Sequence, residues 1–172
     1  ERDFRSNEQS LTVVDDGAVR IEHVAADGST TVLKESVAVL AGEVIDSTAM
    51  DVAALRSFLA EQIREAKEQG VLFSLHLKAT MMKVSDPIIF GHAVEVFFAD
   101  VFAKYGDAIA AAGGDPRNGW ASVLSAVETL PADQRAAIDA DIAEAYENGP
   151  AVAMVDSDKG ITNLHVPSDV IV

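Results

Sequence analysis

From Leu11 to Ala41 apolar residues alternate with polar ones in a stretch rich in Val, Thr and Ile, and a period of two is the pattern of half-buried strands. Asp16-Gly17 and Asp27-Gly28 fall where hairpin turns are needed, so residues 1–45 are predicted to form an antiparallel β meander. The period then changes. Val52, Leu55, Leu59 and Ile63 recur at helical spacing in VAALRSFLAEQIREAKEQ, Gly70 ends the run, and Thr48 with Asp51 three residues later gives a capping-box-like start. VLFSLHL follows directly as a predicted strand, so helix and strand alternate as in a layered α/β unit.

Asp86 and Pro87 read as N-cap and first residue of a second helix, running through IIFGHAVEVFFADVFAKY to Gly106, and its aromatic content predicts burial. GGDPRNG, residues 113 to 119, breaks the chain. Helices are predicted from Trp120 to Thr129 and from Pro131 to Asn148, the second alanine-rich and acidic, before AVAMV and VPSDVIV read as strands around an Asp-Ser-Asp-Lys-Gly turn. At 172 residues and 49% hydrophobic, the chain is expected to form a single α/β domain, with the meander at 1–45 and alternating helices and strands over 46–172. The charged opening Glu1 to Ser10, and an apolar run up to Val172 with no turn or cap after it, read as cuts in a longer polypeptide.

Charge narrows the function. Lys+Arg 13 against Asp+Glu 28 gives a formal net charge of −15, which repels phosphate backbones and anionic headgroups, so neither nucleic acid nor a membrane is an expected partner. No apolar run reaches the roughly 18 to 20 residues that span a bilayer, and the polar start is unlike a signal peptide. The absence of cysteine excludes a disulfide framework, a thiolate zinc site and a cysteine nucleophile, and a cytoplasmic location is expected.

Several motifs fail on their chemistry. Gly114 and Gly119 have phosphate-loop spacing, but Trp120 and Ala121 stand where lysine and Ser/Thr are needed. In DSDKG, residues 156 to 160, the glycine comes one position early for a calcium loop, and Pro167 replaces the bidentate glutamate. His23, His76, His92 and His165 have no paired ligand spacing among themselves, and no serine lies in a G-x-S-x-G elbow.

LHLKATMMKVSDPIIFGHAV, residues 75 to 94, is different. Continued alternation puts Phe73, Leu75 and Leu77 on one face and Ser74, His76, Lys78 and Thr80 on the other, so that Lys78 points into a cleft where it can bind a polycarboxylate and, if partly buried, pass protons. The helix start at Asp86-Pro87 adds backbone N–H groups that favour anions. The alternative leaves Lys78 and Lys83 in solvent and puts Met81 and Met82 in the core.

LKATMMKVSDPIIFGHAVEVFFADVFAKYG, together with VRIEHVAADGSTTVLKE and ITNLHVPSDVIV, closely resembles the monomeric-type NADP-dependent isocitrate dehydrogenases of bacteria over essentially the whole chain. The resemblance implies an isocitrate/isopropylmalate dehydrogenase-like layered domain with an N-terminal antiparallel β meander, being an internal portion of the large domain of a longer, monomeric enzyme. It implies oxidative decarboxylation of isocitrate to 2-oxoglutarate, with NADP as hydride acceptor and Mg2+ or Mn2+ as metal. Lys78 matches the catalytic, substrate-contacting lysine that helps proton movement at the reacting hydroxyl, and Thr80 a neighbouring substrate contact. Lys83 matches the third polar position but is left out, because strict alternation turns it away from Lys78.

Other parts of such a site are not matched. The Ser, Asn and Arg motif for the substrate carboxylates belongs upstream, the metal-binding aspartates downstream with one just after Val172, and neither Tyr105 nor Tyr146 has the context of the catalytic tyrosine. No cofactor-binding residue and no metal ligand is therefore assigned within the chain, and the 172 residues alone are expected to be inactive. A second hypothesis makes the chain a non-catalytic structural module that folds alone and self-associates through an exposed strand edge at 166 to 172.

Overall fold

In the computed structural model, which describes residues 2–77 and 81–152, the alternating stretch does fold as antiparallel strands, but in a pairing order that the alternation does not set. The chain divides into two compact units, 1–52 and 53–172. In the first, β1 (Gln9–Thr12), β2 (Gly17–Val24), β3 (Thr30–Val39) and β4 (Val44–Ser47) make two separate two-stranded sheets.

β2 and β3 form the hairpin expected at Asp27-Gly28. Gly28 takes φ 83°, the Ser29 carbonyl accepts from Ala25 N–H at 2.8 Å, and the Asp27 carboxylate accepts from the Ser29 N–H and hydroxyl at 2.9 and 2.7 Å. Asp16-Gly17, by contrast, closes no hairpin. β1 pairs with β4, Leu11 opposite Ile45, because the chain after Thr12 stays on β4's side: Val13 N–H donates to the Glu43 carbonyl at 2.8 Å, and the Asp16 carboxylate accepts from Ala41 N–H at 2.8 Å. The sequential meander is thus corrected to a hairpin plus a ladder between β1 and β4. A one-turn helix α1 (Phe4–Asn7) precedes them, capped by Asp3, whose carboxylate accepts from Ser6 N–H at 2.7 Å. The Thr48 hydroxyl donates to the Phe4 carbonyl.

The second unit is helical. α2 (Val52–Gln69) has the predicted bounds, buries Leu59 and Ala66, and ends at Gly70 with φ 67°. Residues 71–77 keep the predicted alternation of exposure, with Phe73, Leu75 and Leu77 half-buried and Ser74 and His76 exposed, and among the described residues they make one parallel bridge. That bridge joins Phe73 to Val152, with Phe73 N–H donating to the Ala151 carbonyl at 2.8 Å.

The long second helix is two. α3 (Ser85–Phe97) and α4 (Ala99–Ala111) meet at Phe98, whose φ of −104° and ψ of 39° leave the helical region. Phe98 is held there by its ring, which is stacked on Trp120 with centroids 4.0 Å apart and lies edge-on to Phe97 and Tyr146 at 4.9 and 5.2 Å. A 3-10 turn (Pro116–Asn118) lies in the predicted break, and α5 (Trp120–Glu128) and α6 (Ala132–Asn148) follow within a residue of the expected bounds.

The core comprises Val94, Phe98, Val101, Ile109, Val123, Ala126, Val127, Ile138 and Ile142, drawn from α3 to α6 and the residue between α3 and α4. Burying each larger side chain stabilises the unit by about 1.5–3 kcal/mol relative to exposure. Lys104 on α4 pairs with Asp141 on α6 at 2.9 Å, and the Lys67 ammonium near the end of α2 donates to the Glu147 carbonyl near the end of α6 at 2.9 Å. No helix among the described residues is long and apolar enough to cross a membrane.

Candidate functional site

α3 begins at Ser85, one residue before the expected N-cap, and follows the lysine stretch directly. Lys78 and Thr80, the two residues assigned to substrate, lie outside the described residues. Lys83 is exposed, and so are Met81 and Met82, at 69% and 52%; the alternative reading, with both methionines in the core, is corrected.

The first turn of α3 also differs from a bare anion site. Asp86 sits in it, buried, with its carboxylate 3.3 Å from the Ser85 hydroxyl, and its own N–H donates to the Met82 carbonyl at 3.2 Å. A carboxylate there interacts favourably with the positive end of the helix dipole, and Pro87 removes one further N–H. The dipole is therefore already matched by a residue of the chain.

The outer face of α3 borders a cleft of about 560 Å³, lined by Ile88, Gly91, His92 and Glu95 of α3 and by Gly113 to Arg117. Gly91 makes this approach possible: a Cβ there would stand 2.7 Å from Arg117 Cγ and 3.2 Å from the Arg117 nitrogen. His92 and Glu95, three residues apart, share one helical face, and Arg56 of α2 reaches both. The guanidinium lies 3.2 Å from His92 Nδ1 and donates to the Glu95 carboxylate, which is itself 3.7 Å from His92.

Across the cleft Arg117 folds back on Asp115. Its Nε donates at 3.0 and 3.2 Å and its terminal nitrogen at 2.8 Å, while Asp115 also accepts the Arg117 backbone N–H at 2.9 Å. The hydrogen bonds from Arg117 hold the Asp115 carboxyl below the usual aspartate range, and the same carboxylate raises Arg117, with a smaller contribution from Glu95. A folded value below the unfolded one means that this bond stabilises above an ordinary aspartate value of about 3.9 and is lost as pH falls through the lowered folded value. Asp115→Asn is accordingly expected to lower the urea midpoint at pH 7, and the gap from the parent chain should close below about pH 3.9. A gap that stays constant on acidification would remove the ion pair as its cause.

Chemically the cleft is a set of matched charges, Arg56 with Glu95 and Arg117 with Asp115. Among the described residues there is no group of three or more His, Asp or Glu side chains that could hold a metal ion. The sequence reading did not find this arrangement. Its local signals were the His92 and Glu95 spacing and the Asp-Pro-Arg turn, but Arg56 is brought in from α2 by the reach of its side chain.

Comparison with known proteins places this chain. It matches the family model described as "Monomeric isocitrate dehydrogenase" over residues 1–172. It is 55% identical over 170 residues to a protein of Corynebacterium glutamicum named "Isocitrate dehydrogenase [NADP]", covering 99% of this chain and 23% of that protein. The Azotobacter vinelandii protein of the same name is 51% identical, and "Isocitrate dehydrogenase [NADP] 2" of Mycobacterium tuberculosis is 49% identical, with the same coverage. The chain thus spans about a quarter of the length of these curated relatives. On a family match that runs through all 172 residues, this chain belongs to the monomeric isocitrate dehydrogenase family.

Proposed function

We propose that the chain is part of a cytoplasmic, monomeric oxidoreductase that converts isocitrate to 2-oxoglutarate and carbon dioxide with NADP and a divalent metal. The observation that carries this reading is the 170-residue match at 55% identity to a relative named for isocitrate and NADP. In the reaction the secondary alcohol becomes a ketone. The hydride on carbon passes to NADP+, the hydroxyl proton must leave, and the carboxylate β to the new ketone then departs as carbon dioxide, its bonding electron pair forming an enolate that takes up a proton at carbon to give 2-oxoglutarate.

Lys78 is assigned the proton step and a contact to the substrate, and Thr80 a polar substrate contact. A lysine suits both: as an ammonium it attracts a tricarboxylate, and burial lowers its pKa toward the range where it exchanges a proton at neutral pH. The described residues do not fit the metal, since they contain no cluster of three ligands, and no step is assigned to it here. Nor does the α3 cleft fit the phosphates of NADP, because Arg56 and Arg117 are each already engaged by a carboxylate.

Replacement of the matched 170 residues in the C. glutamicum relative by this chain tests the proposal. The chimera is expected to form NADPH from isocitrate in the presence of magnesium or manganese. A chimera that unfolds cooperatively but forms no NADPH would overturn the reading.

A further inference from the structure

His92 of α3 meets a group that can only donate. Arginine carries N–H donors and no acceptor, so the Arg56 guanidinium 3.2 Å from His92 Nδ1 requires that nitrogen to offer its lone pair. The Glu95 carboxylate, 3.7 Å from the same nitrogen, stands beyond hydrogen-bond distance and takes its own bond from Arg56. The bonded ring is therefore neutral, with its proton on Nε2.

The lone pair on Nδ1 can accept from Arg56 or hold a proton, and it cannot do both. Histidine is also the side chain that changes charge between about pH 5 and 8. A proton on Nδ1 sets two donors against each other at 3.2 Å and turns the nitrogen into a donor toward Glu95. The other charged groups that face His92 are already matched. Asp115 and Arg117, on the turn across the cleft, are bonded to each other, and α4 contributes Ala110 to the lining.

We propose that Arg56, His92 and Glu95 form a pH-sensitive tie between α2 and α3. At neutral and higher pH Arg56 holds both the ring and Glu95; on acidification a proton displaces Arg56 from the ring and pairs the ring with Glu95. Because Arg56 bonds only the neutral ring, that bond stabilises at high pH and is lost as the pH falls. The exchange uses no residue assigned to the substrate.

Imidazole nitrogen NMR of the 172-residue chain reads the ring directly. The His92 signals, identified as those missing from His92→Asn, should show Nε2 protonated and Nδ1 bare at about pH 8, and both protonated at about pH 5. A double-mutant cycle in urea between Arg56→Met and His92→Leu reads the tie. The expected coupling is about 3- to 10-fold in the folding equilibrium constant at about pH 8, held to that range because the Arg56 side chain is 38% exposed. It should fall below about 2-fold once the ring is protonated. His92→Asn, whose amide oxygen accepts but takes no proton, should keep its coupling to Arg56 throughout. A proton on Nδ1 at the higher pH overturns the tie, as does a coupling that is absent there or unchanged on acidification.

Discussion

Lys78→Met in the chimera is expected to lower kcat for isocitrate oxidation by about 10²- to 10⁴-fold, the range over which a positioned acid or base contributes. Methionine keeps the length and flexibility of the lysine stem and removes the ammonium, so the loss reports the charge and its proton rather than packing. The two roles assigned to Lys78 separate in the kinetics. A substrate contact used equally in ground and transition states raises KM, whereas a proton moved only in the transition state lowers kcat. Lys78→Arg sharpens the comparison, because arginine restores the positive charge but does not give up its proton near neutral pH. Recovery of KM without kcat in Lys78→Arg is therefore the expected pattern. A folded Lys78→Met variant with near-parental kcat would falsify the assignment.

What could be read in advance follows from how local the information is. The bounds of α2 were legible, since its apolar stripe and terminal Gly70 lie within one stretch of sequence, although Val52 of that stripe is exposed, and α5 and α6 were bracketed by GGDPRNG and Pro131. Family membership was legible for a similar reason: the Lys-Ala-Thr-Met-Met-Lys-Val-Ser-Asp-Pro string is long and continuous, and the family match runs over the same residues. The strand period gave β2 and β3 and the turn at Asp27-Gly28. It did not give the pairing of β1 with β4, because alternation fixes which face a residue takes and says nothing of which strand lies beside it.

The site divides the same way. His92 and Glu95 are three residues apart, so their common face follows from helical geometry alone. Arg56 is separated from His92 by 36 residues, and its contribution depends on where the fold brings its long side chain. Gly91 and Gly114 carry no sequence signal of their own. Their role is the absence of a Cβ where Arg117, Ile109 and Ala126 approach, which only the folded chain reveals. A helix start can likewise be placed within a residue from Asp86-Pro87, yet the burial of the Asp86 carboxylate, and hence the loss of a bare anion site, is a tertiary fact.

The break between α3 and α4 is the clearest instance of tertiary structure overriding local pattern, and it sets the second large effect. Nothing in EVFFADVF marks a kink, for it lacks glycine and proline. The ring of Phe98, 5% exposed, is instead fixed between Trp120, Phe97 and Tyr146. Phe98→Ala is expected to destabilise the chain by about 3–5 kcal/mol, because it removes a buried aromatic ring and leaves a cavity that the rigid helix ends cannot fill by collapse. Trp120, the single tryptophan, reports the transition directly: its emission should shift to the red even before unfolding, since its stacked partner has gone. Phe58, 57% exposed on α2, supplies the control, and its replacement by alanine should stay within about 0.5 kcal/mol of the parent. A Phe98→Ala cost below about 1 kcal/mol, with Trp120 emission unchanged, would mean that the kink is set by the backbone of Val94 to Phe102 and not by the aromatic cluster.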